Sequence, residues 1–465
     1  MATVRASMHG YWSSRFAFVL AAAGSAVGLG NIWKFPYMVG ENGGGAFVLL
    51  YLLCVTLFGI PVMMSEVLIG RRGRSSPVNT MSVLAVEEKR SRSWRLLGLM
   101  GVLAGFLILS YYSVIAGWAL DYVLETASGT FSGLNAEQAG DVFTKLISNP
   151  NRLLFWHTMF IFLTMIVVVR GVNKGLETAV RILMPALFVL IIIMIIYAMI
   201  NGEFVASLKF LFTPDFSKIS PEVVLKAMGQ AFFSLSLGMG AIMMYGSYLP
   251  DDASIATTSF QVAIADTLVA MLAGLAIFPI VFANGLEAGQ GPGLIFNTLP
   301  LAFGQMSGGI VFGTIFFILL VFAAWTSAIS LIEPAVAWLV EKFSVSRFTS
   351  SIICGLVVWG IGLGTVYSFN DWKKVEAFNG TFLEGKSFFD LLDYLTSNIM
   401  LPLGGILICV FAAWMMTEVS RREELKIKHE IAYRLWRFLA RYITPIGVVF
   451  IFLHVLGLLE KLNLS

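Results

Sequence analysis

Charge is scarce in this chain of 465 residues: 13% are Asp, Glu, Lys or Arg, where soluble proteins carry about a quarter. That shortfall excludes a soluble globular domain, which needs a larger charged shell. Cysteine is scarcer still. Cys54, Cys354 and Cys409 all fall inside apolar runs with no metal-binding spacing, which leaves them as small packing residues. His157 and His454 stand alone in apolar stretches with no nucleophile paired to them, so the chain reads as a protein that is not an enzyme. A net charge of +3 gives no reason to expect nucleic acid as a partner.

What the chain has in abundance is apolar sequence. Hydrophobic residues make up 58%, and the mean hydropathy is +0.83. The apolar residues come in long charge-free runs, clearest at Gly43–Ser65, Leu96–Leu120, Ala227–Pro250, Ala288–Ile332, Tyr394–Thr417 and Ile443–Leu459. A run of roughly 18 such residues crosses a bilayer core as a helix. The first run carries polar and Gly punctuation and lacks a small-residue cleavage site, so it reads as a span and not as a signal peptide. Basic residues gather in two loops. One holds Arg71, Arg72, Arg74, Lys89, Arg90, Arg92 and Arg95; the other holds Arg421, Arg422, Lys426, Lys428, Arg434, Arg437 and Arg441. Excess Lys and Arg mark cytoplasmic loops. Alternate loops, around Glu125–Asp141 and Asp371–Asp393, are mixed or acidic, which agrees with a cytoplasmic N-terminus.

The expectation is an all-α integral membrane protein of 11 transmembrane helices. They lie near 12–38, 42–70, 92–125, 153–170, 175–200, 222–248, 254–285, 308–343, 347–370, 389–418 and 433–460, in a single domain over 1–465. An odd number places the C-terminus outside, in a plasma (inner) membrane. The segment near 286–305 is broken by Gly and Pro and reads as a re-entrant or surface hairpin. Helices one and six share an unusual interior: Gly24-Ser-Ala-Val-Gly28-Leu-Gly30-Asn31 and Ser234-Leu-Ser236-Leu-Gly238-Met-Gly240. They begin two five-helix halves, about 12–200 and 222–418. Gly weakens a helix by about 1 kcal/mol, and an unwound turn frees backbone NH and C=O groups that must bind something at membrane depth. One Gly-x-Gly only lets helices pack closely. Two at matching positions of two halves point to a transporter's binding site.

The stretches AVGLGNIWKFPYMVGENGGGAF (Ala26–Phe47), GIPVMMSE (Gly59–Glu66), SLSLGMGA (Ser234–Ala241) and AAWTSAIS (Ala323–Ser330) resemble the neurotransmitter:sodium symporter family, most of all its bacterial amino-acid carriers. The resemblance implies a five-plus-five inverted repeat with unwound helices one and six, and sodium-coupled symport by alternating access. The family usually has a twelfth helix beyond the eleven expected here, which leaves any dimer contact made by it, and hence the oligomeric state, open. Carried over by motif, a first sodium site uses Ala26, Asn31, Ser234 and Asp266 with the substrate carboxylate. A second uses the backbone of Gly24, Val27 and Ala323 with the hydroxyls of Thr326 and Ser327. Asp266 departs from the chloride-dependent pattern, in which an Asn stands there and a Ser follows one turn on; here Ala270 follows. An intramembrane carboxylate is a functional hypothesis by default, so Asp266 is expected to supply the charge that chloride supplies elsewhere.

Gly24 stands where amine-transporting relatives carry Asp, so a monoamine lacks its counter-ion. A zwitterion fits better. Its carboxylate would meet the first sodium, the freed backbone near Ala26 and Gly30, and Tyr112. Its ammonium would meet Ser236 and the helix-six carbonyls around Gly238 and Gly240. The expected side-chain pocket, Leu29, Ile108, Phe233, Met239, Ala328 and Leu331, is uncharged and suits a neutral hydrophobic or aromatic amino acid. The same features also accommodate another small zwitterion, a channel, or a transport-incompetent receptor. The resemblance further implies an outer pair Lys34 and Asp393 above a lid of Tyr112 and Phe233, with Gln230 reaching across the same vestibule. Trp12 would be the inner plug and Glu341 an inner gate partner, with His9 or Arg5 as the basic half. Glu66 would support the unwound backbone, and Gly175 and Pro185 would let helix five unwind. Asn379-Gly-Thr381 fits a glycosylation sequon.

Overall fold

With no water in the bilayer core to satisfy backbone groups, an apolar chain that crosses it must close its hydrogen bonds within each segment. The chain does so with helices. The computed structural model describes residues 5, 7–288, 293–373 and 385–455, with the side chains of residues 451, 454 and 455 excepted. The Asn379–Thr381 sequon, the last residues of the expected final helix and the side chain of His454 lie outside the described residues. Among the described residues there is no strand, only an isolated bridge between Gly44 and Pro214.

The helices that position the site are α1 (Arg15–Ala26), α2 (Gly30–Glu41), α3 (Gly45–Gly73), α4 (Pro77–Glu87), α5 (Arg92–Ala127), α6 (Pro150–Val169), α7 (Val172–Asn201), α8 (Pro221–Ser234), α9 (Ala241–Ser247), α10 (Ile255–Ala283), α11 (Gly309–Phe343), α12 (Arg347–Ser368) and α13 (Phe388–Met415). A short helix, α14 (Glu418–Leu425), precedes α15 (Glu430–Phe438) and α16 (Thr444–Val455). Their starts follow local chemistry. The side chains of Ser14, Asn149, Ser220, Ser254, Ser346 and Thr417 each accept a hydrogen bond from a backbone N–H two or three residues into the helix. Each such cap is worth about 1 kcal/mol.

Among the described residues, eight continuous helices are long and apolar enough to cross a membrane, and α1 with α2 passes the same test as one span bent by 52°. Of two further segments counted as spans from sequence, 222–248 is built of two pieces, α8 and α9, while the described part of 433–460 is continuous, α15 passing through a π-turn at Leu439–Ile443 into α16. The expected hairpin near 286–305 holds a π-turn at Leu294–Thr298 and a short helix, Leu299–Gln305.

α5 and α11 are the inner helices. Some 72% and 78% of their most apolar windows are buried against protein, against 39% for α6 and α7, which face outward. They also pack more extensively on each other than any other pair. Gly105 permits this approach: a Cβ there would stand 2.8 Å from the carbonyl oxygen of Leu331.

Candidate functional site: the broken helices

Both Gly-x-Gly segments interrupt their helices. α1 ends at Ala26, Val27 turns extended (φ −70°, ψ 101°), and α2 opens with a π-turn over Gly30–Lys34. Between α8 and α9 the backbone passes through left-handed conformations at Ser236 (φ 54°), Gly238 (φ 82°) and Gly240 (φ 76°). Glu66 of α3, fully buried, accepts the backbone N–H of Gly238 at 2.5 Å, as a support for the unwound turn should.

Between the two breaks lies a cavity of about 20 Å³, lined by Ala26, Leu29, Gly30, Ile108, Tyr112, Phe233, Ser236, Met239 and Leu331, all expected from sequence. Ser25, Gly28 and Ser327 line it as well and were not among the expected substrate contacts. Gly238, Gly240 and Ala328 were, but they do not line it. Gly238 is spent on Glu66 and presses on α13, Gly240 faces Pro77 and Gly101, and Ala328 is fully buried elsewhere in the helix packing. No charged side chain forms part of the wall. Ser236 donates to the carbonyl of Ser25 at 2.9 Å, which ties the two breaks together, and the hydroxyl of Tyr112 accepts the N–H of Leu29 at 3.2 Å.

Oxygen-rich clusters flank the cavity. In the first, the amide nitrogen of Asn31 donates to Asp266 Oδ1 at 2.7 Å and to Ser234 Oγ at 3.2 Å, and Ser234 donates to Asp266 Oδ2 at 2.5 Å. Tyr51 joins it, 3.1 Å from Asp266 Oδ2 and 3.0 Å from Ser234 Oγ. Sequence reasoning missed Tyr51; its signal is one hydroxyl in the otherwise apolar stretch 45–55 at the start of α3. In the second cluster, Ser327 Oγ lies 3.4 Å from the carbonyl of Gly24, 3.0 Å from that of Ser25 and 3.2 Å from that of Val27. Thr326 instead donates within its own helix, to Phe322 and to Ala323, at 3.2 and 3.0 Å. Among the described residues no group of three His, Cys, Asp or Glu could hold a metal ion, so neither cluster offers a transition-metal site.

The two faces of the molecule differ. On one, a vestibule of about 360 Å³ rises above Phe233 and Tyr112, with both Lys34 and Asp393 on its wall. These two do not form an ion pair. Lys34 Nζ sits 4.3 Å from the centre of the Phe233 ring, and Asp393 accepts from Ser397 at 2.8 Å. Gln230 donates to the carbonyl of Gly30 at 2.8 Å. The opposite, arginine-rich face is sealed. Trp12, 2% exposed, donates its indole N–H to the carbonyl of Tyr245 and its backbone N–H to that of Tyr248. Glu341 is held at 2.9 Å by His9 and also by Ser76 and Asn79. His9, therefore, is the basic partner; Arg5 bonds Glu87 instead. Gly175 lies in a π-turn over Val172–Glu177, and α7 runs on unbroken through Pro185, so the expected unwinding element is wound here.

This geometry agrees with comparisons against known proteins. A profile described as the Sodium:neurotransmitter symporter family matches residues 9–139 and 142–464. The chain belongs to this family. As a symporter of that family it is a sodium-dependent multi-pass membrane transporter, and the family is one of transporters rather than enzymes. It is similar to the sodium-dependent transporter YhdH of Bacillus subtilis, 39% identical over 97% of this chain and 98% of the relative. A sodium-dependent transporter of Haemophilus influenzae is 33% identical over 95% of this chain and 97% of its own length. The crystal structure of MhsT in complex with L-phenylalanine superposes with a TM-score of 0.87 at 43% identity, covering 96% of this chain and 99% of that one.

Proposed function

We propose that this symporter imports neutral hydrophobic or aromatic L-amino acids with sodium by alternating access, without chloride. The observation that carries the reading is the uncharged wall of the cavity between two helix breaks, with an oxygen cluster on either side. A zwitterion buried there needs both of its charges met. Its carboxylate would take the first sodium, the freed backbone at Gly28 to Gly30 and the Tyr112 hydroxyl. Its ammonium would take Ser236 and the carbonyls of the broken turns. Leu29, Ile108, Met239 and Leu331 leave only an apolar surface for the side chain, so acidic and basic amino acids are excluded. The likeness to a protein bound to L-phenylalanine points the same way.

Two sodium ions are proposed. Ala26, Asn31, Ser234 and Asp266 would hold the first; Gly24, Val27, Ala323, Thr326 and Ser327 would hold the second, with the Thr326 hydroxyl turning from its own helix to do so. Asp266 supplies a fixed negative charge in the first cluster, which removes the need for chloride. The halves 12–200 and 222–418 act as the inverted repeats. The arginine-rich face, with the N-terminus, faces the cytoplasm, and Lys34 and Asp393 approach one another when the outer side closes. The test is uptake of labelled L-phenylalanine into proteoliposomes with every other amino acid as competitor, with sodium or potassium, and with chloride or gluconate. Competition by Leu, Phe, Tyr and Trp only in sodium, indifferent to chloride, supports the reading. Failure of every amino acid to compete in sodium overturns it.

A further inference from the structure

The seal of the arginine-rich face ends in an imidazole. His9 Nε2 and Glu341 Oε1 are 2.9 Å apart, and their side chains are only 5% and 4% exposed. Histidine is the side chain whose charge changes between about pH 5 and 8 without special help. The pair therefore exists in two strengths: an ion pair when the ring carries its second proton, and a neutral hydrogen bond when it does not. At this depth solvent screens the difference poorly.

From this geometry we infer that a proton on His9 locks the inner gate, so that transport slows as the pH on the arginine-rich face falls. The inference rests on the alternating-access reading above, because a closed inner gate matters only to a carrier that must open it. His9 lies on the segment that leads to Trp12. Opening a path beneath the cavity requires that segment to leave Glu341, Tyr245 and Tyr248. Whatever strengthens the His9–Glu341 contact stabilises the closed state.

Among the described residues, the titratable group that hydrogen-bonds the His9 ring is Glu341. Glu341 is also fixed by the backbone N–H and hydroxyl of Ser76 and the amide of Asn79, none of which titrates. Just past α9, Tyr248 meets the His9 ring edge-on at 6.2 Å and donates its hydroxyl hydrogen bond to Glu333, which is paired with Arg347 of α12. Arg74 lies over the Tyr11 ring and pairs with Asp251, while Arg5 and Arg72 share Glu87. On the α7 side, Asn173 packs at Gly10, and Glu177 pairs with Arg181. Lys342, next to Glu341, sits over the Trp338 ring. Each of these described charges already has its partner.

The experiment uses the full chain in proteoliposomes, with pH varied only on the arginine-rich side, and a parallel set carrying spin labels at F16C and F343C. Phe16 and Phe343 are exposed on the two elements that the gate joins. Lowering the pH from 8 to 6 should reduce amino-acid uptake by about five-fold or more, the lower end of an ordinary coupling. The same change should raise the share of the short label distance. His9→Gln should remove both responses and leave the gate in its high-pH behaviour. His9→Arg should remove them and hold the short distance at every pH. If either variant keeps the wild-type pH response in the label distances, the inference is overturned, even for a variant too slow to measure by uptake. Absence of sodium-driven uptake at every pH in the wild type would instead overturn the carrier reading.

Discussion

Asp266 makes the residue scale concrete. It is fully buried, and its oxygens are met by Asn31, Ser234 and Tyr51, all neutral donors. Among the described residues no Lys, Arg or His lies within 4.0 Å of it, so a charged Asp266 has no protein counter-ion. A buried carboxylate without a countercharge is strongly unfavourable, and a sodium ion in the same cluster supplies one. Asp266→Asn keeps the shape and removes the charge. Its expected outcome is a fall of about ten-fold or more in apparent sodium affinity, equivalent to about 1.4 kcal/mol, with chloride now stimulating binding. Substrate binding titrated with sodium, in chloride and in gluconate, checks both. An unchanged sodium curve would remove Asp266 from the ion site. Leu331 tests the pocket in the same spirit. Shortening it to Ala should shift preference from Leu toward Trp by about 1–3 kcal/mol of discrimination, the range an apolar pocket commands, read from paired competition curves.

Among the elements, the break between α8 and α9 depends on backbone conformations that side chains disfavour. Gly238 has φ 82°, and a Cβ there would lie 2.3 Å from the carbonyl oxygen of Leu401. Gly238→Ala meets both a strained backbone and a fixed obstacle. It should lower thermal stability by more than about 1 kcal/mol and impair substrate binding. Gly229, in the helical part of α8, would place a Cβ with nothing within 4 Å. Gly229→Ala should be neutral or stabilise by up to about 1 kcal/mol. Melting curves of the two purified variants separate the conformational need at 238 from a general intolerance of side chains in this segment. This break was legible in the sequence because glycine announces left-handed backbone. The left-handed turn at Ser236 was not, since serine has no such preference; its hydroxyl bond to Ser25 across the other break holds it there. Tyr51 was hidden for a related reason: what makes it part of the Asp266 cluster is how α3 rotates against α10, and no local pattern encodes that. Ala26, Gly30 and Ser236 face the cavity as the sequence led one to expect, but Ser25, Gly28 and Ser327 do so as well, because which small residues face inward depends on how the broken turns run. The choice of His9 over Arg5 for Glu341 depends on the path of a non-helical segment, which sequence spacing does not give.

Across the whole molecule, the arginine-rich face is held by a charge network that binds distant parts of the chain, and this network has its own response to acid. Arg5 and Arg72 both bond Glu87 of α4, at 2.8 and 2.5 Å, and Arg71 of α3 bonds Glu424 of α14 at 2.5 Å. Burial by itself would push the Glu87 carboxyl up, but the hydrogen bonds and charges of Arg5 and Arg72 outweigh it and hold it below its ordinary value. A carboxylate depressed in the folded state contributes stability that is fully present above its unfolded value of about 4.3. That contribution is lost as pH falls through the folded value. With the Glu87 side chain 22% exposed, solvent screening keeps it to about 1 kcal/mol or less. Glu87→Gln should therefore melt earlier than the wild type at pH 7, and the two curves should converge as the pH is taken below about 4. Between pH 6 and 8 the size of the gap should not change. If the gap varied across that range, Glu87 would not be fully ionised there, and the pH response of the gate could no longer be separated from that of the network around it.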